Sequence, residues 1–101
     1  MKKTWHVYIM ASRQKGALYV GMTSDLFQRI WQHRESLNQE AFTTQYQIKQ
    51  LVYFEEHNSF EDAALKETQL KRWKRAWKIQ LIEKKNPSWN DLYTDDFLNE
   101  F

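Results

Sequence analysis

Two tyrosines, an arginine, a histidine and a glutamate are the residues of this sequence best suited to chemistry: Tyr8, Tyr19, Arg29, His33 and Glu67. Each could take one task in handling a phosphodiester. A guanidinium offers a planar fork of donors that matches phosphate oxygens. An imidazole changes charge near neutral pH. A carboxylate can hold a hard divalent cation, which neutralises charge developing on the phosphate. Hydrolysis also needs a water that is oriented or deprotonated. A phenol can orient it, but with a reference pKa of about 10 it is a poor base until a neighbouring cation favours its ionised form.

The elements that must position these groups are legible in the pattern. Trp5–Met10 and Ala17–Met22 are rich in β-branched and aromatic residues and predict two short strands. Ser12-Arg13-Gln14-Lys15-Gly16 between them has turn composition, with Gly16 available for a positive φ. A hairpin that sets Met10 against Ala17, Tyr8 against Tyr19 and His6 against Gly21 gathers Val7, Ile9, Leu18 and Val20 on one aliphatic face. The opposite face then carries the two tyrosines side by side, either as a stabilising cross-strand pair or as part of a site. Thr23-Ser24-Asp25 supplies N-cap candidates, and Leu26, Phe27, Ile30 and Trp31 follow at helical spacing. Arg29 and His33, one turn apart, share an edge of the stripe centred on Leu26 and Ile30.

His6-Val7-Tyr8, ten intervening residues, Tyr19-Val20-Gly21, then Arg29, His33 and a later glutamate resemble the GIY-YIG nuclease superfamily, most closely its small stand-alone bacterial members of uncharacterised function. The likeness covers residues 5–85 and includes the later stretch KRWKRAWKIQLIE. The resemblance implies that Tyr19 is a base or water-orienting phenol, Arg29 binds phosphate and Glu67 is the metal ligand. It also implies that Tyr8 helps hold the water or metal shell and that His33 transfers a proton or contacts phosphate. The departures are specific. His6 replaces the first glycine of the motif and either joins the site or narrows it. Met22 stands where some repair nucleases of the superfamily have lysine. Asn86 and Asn90 are the residues available to match a late asparagine near the metal. Most characterised relatives carry a separate DNA-recognition domain, for which this chain has no room; a partner protein supplying substrate specificity is the implied substitute.

The rest of the chain reads as one domain of 101 residues. It has no cysteine, which excludes disulfides and thiolate metal sites. No apolar run approaches the roughly 18 residues of a membrane span, and the start MKKTWHVYIM lacks a signal-peptide core, so no membrane association and a cytoplasmic location are expected. Net charge is +2, but residues 66–85 hold eight of the fifteen Lys and Arg against Glu67 and Glu83 alone. Such clustering is either the footprint of a phosphate-bearing partner or a solvated helix face. Five tryptophans serve as core or as base-stacking material.

Arg34–Gln47 is polar and reads as a loop, with Phe42 and Tyr46 its aromatics. Ile48–Glu55 predicts a third strand, apolar on both sides at Leu51-Val52-Tyr53-Phe54 and therefore covered on both faces. Ser59 and Asp62 approximate a capping box for a helix whose stripe is Phe60, Ala63, Ala64 and Leu70. Glu67 falls inside that stripe, where an unpaired charge is costly. It is either the structural partner of Arg29 or a functional acid. Trp73, Trp77 and Leu81 extend an i, i+4 stripe to about Glu83, and the resemblance implies a break near Trp73. Asn86-Pro87-Ser88 ends the helix. Asp91, Asp95, Asp96 and Glu100 make the tail acidic; Trp89–Tyr93 is expected to pack back loosely.

These features predict an α/β fold of the α+β type: a three-stranded antiparallel sheet flanked by helices, GIY-YIG-like over residues 1–85, with an acidic tail at 86–101 packed on it or frayed. The implied function is that of a metal-dependent endonuclease, a hydrolase of DNA phosphodiester bonds in repair or recombination, with Mg²⁺ or Mn²⁺ on Glu67. Lys71, Arg72, Lys74, Arg75 and Lys78 are the expected nucleic-acid contacts. The alternative is a non-catalytic nucleic-acid-binding module that uses the same phosphate-binding constellation.

Overall fold

The structure, a computed structural model, describes residues 3–35 and 46–94. Phe42 and the acidic residues Asp95, Asp96 and Glu100 lie outside that range. Three strands, β1 (Trp5–Ala11), β2 (Leu18–Thr23) and β3 (Gln50–His57), form one antiparallel sheet in the order β2-β1-β3. The helices are α1 (Leu26–Glu35), α2 (Phe60–Arg72) and α3 (Arg75–Lys85). The α+β class and the three-stranded antiparallel sheet are as the sequence predicts. The third strand begins two residues later than its apolar run suggested, because Ile48 is buried ahead of the ladder rather than within it.

The hairpin register differs from the predicted one. Tyr8 opposes Gly21, Met10 opposes Tyr19 and His6 opposes Thr23. This is a slip of two residues, so each side chain keeps its face while its cross-strand neighbour changes. The reason is visible at Gly21. A Cβ there would lie 2.5 Å from the Tyr8 hydroxyl and 2.6 Å from Cζ, so the phenol ring folds across the one position of β2 without a side chain. The turn also differs from expectation. Lys15, with φ 55°, takes the left-handed conformation, and no glycine among the described residues has positive φ. Gly16 is needed for space instead, since a Cβ would strike Ser12 Oγ and come within 2.8 Å of Arg13 Cγ. Ser12 closes the loop by accepting from the Ala17 amide at 3.0 Å and donating its own amide to the Ala17 carbonyl at 3.0 Å.

Central strand β1 is buried from His6 to Ala11, and the sheet is covered on both sides. On one side Val7, Ile9, Ala11, Val20 and Val52 pack with Ala63 and Leu70 of α2, Ile82 of α3 and Trp89. On the other, Tyr8, Met10 and Leu51 pack with Leu26 and Ile30 of α1 and with Ile48. Along β3 the pairing with β1 shifts between Ile9 and Met10, leaving Val52 as a bulged residue. Its carbonyl accepts from the Asn86 side-chain amide at 3.0 Å, so the break in the ladder leaves no orphan there.

Helix ends follow local chemistry. Asp25 caps α1 by accepting from the Gln28 amide at 3.1 Å, and Ser59 caps α2 by accepting from Asp62 at 3.1 Å. The break between α2 and α3 falls at Trp73 and Lys74, whose ψ angles are both 147°. Beyond α3, Trp89 is buried and donates its indole N–H to Glu83 at 2.7 Å. Asp91 accepts from the Leu51 amide at 3.1 Å and from Arg34 at 2.6 Å, while the Leu92 amide donates to the Leu51 carbonyl at 2.7 Å. These bonds tie the segment after α3 to β3 and to the end of α1.

Candidate active site

Three of the predicted residues are in direct contact beneath α1. Tyr8 points from the centre of the sheet, is 1% exposed, and shares a 3.1 Å hydrogen bond between its hydroxyl and His33 Nε2. With Nε2 unprotonated Tyr8 donates; with Nε2 protonated it accepts. Tyr19 reaches the same cluster from β2. Its ring centroid lies 6.3 Å from Tyr8 and 5.1 Å from His33. The tyrosines are therefore diagonal neighbours rather than directly opposed, a separation that aromatic side chains span. Tyr19 and Arg29 are only partly buried, whereas Tyr8 and His33 are almost fully enclosed. Of the two phenols, Tyr19 is the one partly exposed to solvent. Tyr8 lies behind it and is linked to the imidazole by its hydroxyl.

Arg29 precedes His33 by one helical turn on α1, and its backbone amide donates to the Asp25 carbonyl at 3.0 Å. What holds this helix in place was not evident from local pattern. Arg34, beside His33, donates to Asp91 at 2.6 Å and to the Lys49 carbonyl at 3.2 Å, and its guanidinium lies 4.9 Å from the Tyr93 ring. Tyr93 in turn stacks on Phe27 of α1 at 5.6 Å. Arg34 and Asp91 thus position the end of the helix that carries Arg29 and His33. Their separation of 57 residues leaves no local signal.

Glu67 comes from α2, across the sheet from α1. Its carboxylate pairs with Lys71 one turn on, at 3.2 Å, with side-chain exposures of 20% for Glu67 and 53% for Lys71. The structural partner that the sequence suggested, Arg29, is replaced by an exposed lysine on the same helix. Leu70, next to Glu67 in the stripe, is buried in the core against which Leu18 and Met22 of β2 pack. Among the described residues no group of three or more His, Asp or Glu converges on a metal position. Mg²⁺ is commonly held by one or two carboxylates with waters and substrate phosphate completing its shell, so a single partly exposed carboxylate fits that requirement.

The basic stretch divides in the structure. Arg75 Nη2 donates to the Lys15 and Gly16 carbonyls at 2.5 and 2.6 Å and so clamps the hairpin loop. Lys71 pairs with Glu67, and Lys74 Nζ sits 5.8 Å from the Trp77 ring centroid. Arg72 is exposed and Lys78 half-buried. His6 shares the face of Tyr8 but lies on the β3 side, edge-on to Phe54 at 6.0 Å and 3.7 Å from Glu56. Burial holds its imidazole below the usual value of 6.5 against the opposing pull of Glu56, with His57 lowering it further. Asn86 bridges Val52 and Asn90, donating to both carbonyls and accepting the Asn90 amide at 3.0 Å. Met22 packs toward the aliphatic core, on the side away from the tyrosines.

The structure is thus a small α+β domain that buries a phenol–imidazole pair under a capped helix, with a second phenol beside it. Residues 4–80 match the model of the GIY-YIG catalytic domain, and the chain belongs to that nuclease family. It is similar to a UPF0213 protein of Syntrophus aciditrophicus (strain SB), with 33% identity over 82 residues that cover 81% of this chain and 92% of the relative. No solved structure matches. No helix among the described residues is long and apolar enough to cross a membrane.

Proposed function

We propose that this protein is a divalent-metal-dependent endonuclease that hydrolyses DNA phosphodiester bonds, acting on branched or damaged structures in repair or recombination. The observation that carries this reading is the contact between Tyr8, Tyr19 and His33, in which a buried imidazole links to one phenol and packs against the other. Arg29 binds the scissile phosphate through its donor fork. Tyr19 orients the attacking water, and His33, held by Tyr8, takes or returns the proton. Glu67 is the carboxylate for Mg²⁺ or Mn²⁺, which when bound would neutralise charge on the phosphate oxygens. Glu67 stands on α2, which packs against the face of the edge strand β2 opposite Tyr19, so a substrate meeting both wraps the β2 edge of the sheet. A partner protein supplies substrate recognition.

The test is a panel of flap, branched, duplex and single-stranded DNA and RNA incubated with Mg²⁺ or Mn²⁺. Cleavage of a branched or flapped DNA by the wild type, lost in Arg29→Ala, is the expected result. Metal-independent binding to every substrate without cleavage of any would replace the enzyme with a nucleic-acid-binding module.

A further inference from the structure

The outer surface of α3 carries a feature that the cluster beneath α1 does not use. Trp73, Trp77, Gln80, Leu81 and Lys84 line a groove of about 340 Å³, open to solvent. Its walls are two indoles set edge to face, 6.1 Å apart at 86°. Trp77 is 49% exposed, unusual for so large an apolar ring. Lysines stand over both, with Lys66 Nζ 5.6 Å from the Trp73 centroid and Lys74 Nζ 5.8 Å from that of Trp77. Lys84 closes the rim. The two carboxylates of this stretch are engaged elsewhere, Glu67 with Lys71 and Glu83 with the Trp89 indole. The groove therefore combines an apolar aromatic floor with a cationic edge.

We infer that this groove binds unpaired nucleobases of a single-stranded nucleic acid, with Trp77 as the stacking platform and Lys66, Lys74 and Lys84 as phosphate contacts. The charge selects the occupant. A buried protein interface is depleted in lysine, whereas a polyanion with flat, apolar bases matches both the rim and the floor. Stacking on an aromatic side chain needs an exposed base face, which a duplex keeps inside its own stack. The flexible lysines now lying over the indoles can swing to the backbone and leave the rings for bases. The groove belongs to the sheet face opposite Tyr8 and His33. It would hold a strand flanking the cleaved bond rather than the bond itself. This inference rests on a nucleic-acid partner for the protein, not on catalysis.

The experiment is fluorescence anisotropy of fluorescein-labelled oligothymidylate in EDTA, where cleavage does not interfere, with the matched duplex measured in parallel. Stacking is worth about 1–3 kcal/mol per base, so Trp77→Ala should weaken single-strand binding by about tenfold, leave duplex binding unchanged, and be largely restored by Trp77→Phe. The exposure of Trp77 makes this variant safe for the fold, and an unchanged melting temperature verifies that. Equal single-strand affinity of Trp77→Ala and wild type overturns the inference, whether or not the protein cleaves DNA. So does a wild-type dimer in sedimentation that Trp77→Ala converts to monomer, because the occupant is then a second copy. Tight stacking-dependent binding by a protein that cleaves nothing sustains the inference while removing the enzyme.

Discussion

The two faces of the sheet are built from the same three strands and teach opposite lessons. Under α2 and α3 the face is aliphatic: Val7, Ile9, Val20, Leu70 and Ile82 are 5% exposed or less and need only shape and volume. Under α1 the same strands present Tyr8 and Tyr19, and α1 supplies His33 within the core. Apolar burial stabilises both, but the second also encloses a polar pair, a costly arrangement unless the partners are held in register. The first face can be repacked with other hydrophobes; the second is fixed residue by residue. Polar groups do occur on the aliphatic side, yet at its margin. Tyr53 donates to Glu55, which pairs with His57 at 2.6 Å, and burial with this carboxylate pushes the Tyr53 phenol above its ordinary range.

The largest effect on stability is expected on the aliphatic face. Leu70→Ala empties a fully buried position and should cost about 2–5 kcal/mol in chemical denaturation. A cost below 1 kcal/mol would show that α2 contributes little to the core. Gly21→Ala comes next and is the sharper probe. The new Cβ lies within 2.6 Å of two Tyr8 ring-end atoms, so the ring must move, at about 1–3 kcal/mol. Because the move breaks the Tyr8–His33 contact, cleavage should fall much further than stability. An active Gly21→Ala enzyme would uncouple that contact from function.

The smallest effect concerns pH. His6 is buried with its pKa held below the usual 6.5, so the unfolded chain takes up the proton first as pH falls. Its neutral form in the fold carries no penalty above pH 6.5; stability then declines as pH drops below 6.5 and levels off beneath the folded value. His6→Asn should flatten the part of the acid limb due to this group. Denaturant midpoints measured between pH 7 and pH 5 check this, and an unchanged slope would assign the acid sensitivity to other groups.

Much of this division was legible in the sequence because alternation assigns faces. The aliphatic set, the tyrosine face and the Arg29–His33 edge all follow from periods of two and 3.6. The register did not follow, since a slip of two residues preserves alternation and the pattern is blind to it. The close approach of Tyr8 to Gly21 decides it, and that is a three-dimensional fact. The Val52 bulge was hidden in a run apolar on both sides. Arg34 and Asp91 were hidden by their distance in sequence, and Arg75 looked like a phosphate contact because nothing local reveals that it holds the Lys15 and Gly16 carbonyls. Glu67 was conspicuous for breaking its stripe, although its observed partner, the exposed Lys71, gives it only the modest stabilising role of a partly exposed i, i+4 pair.

That weakness makes Glu67→Gln the most direct test of the catalytic account. The change keeps size and hydrogen-bonding capacity and removes the charge a hard cation needs. Loss of the pair with Lys71 should cost no more than about 0.5 kcal/mol, so the melting temperature should stay nearly constant. The measurement is Mg²⁺-dependent cleavage of a labelled branched DNA by wild type and Glu67→Gln, with metal-free binding followed alongside. The account predicts that cleavage disappears while binding persists or tightens, because one charge repelling phosphate has gone. Undiminished cleavage by a folded Glu67→Gln protein would contradict it.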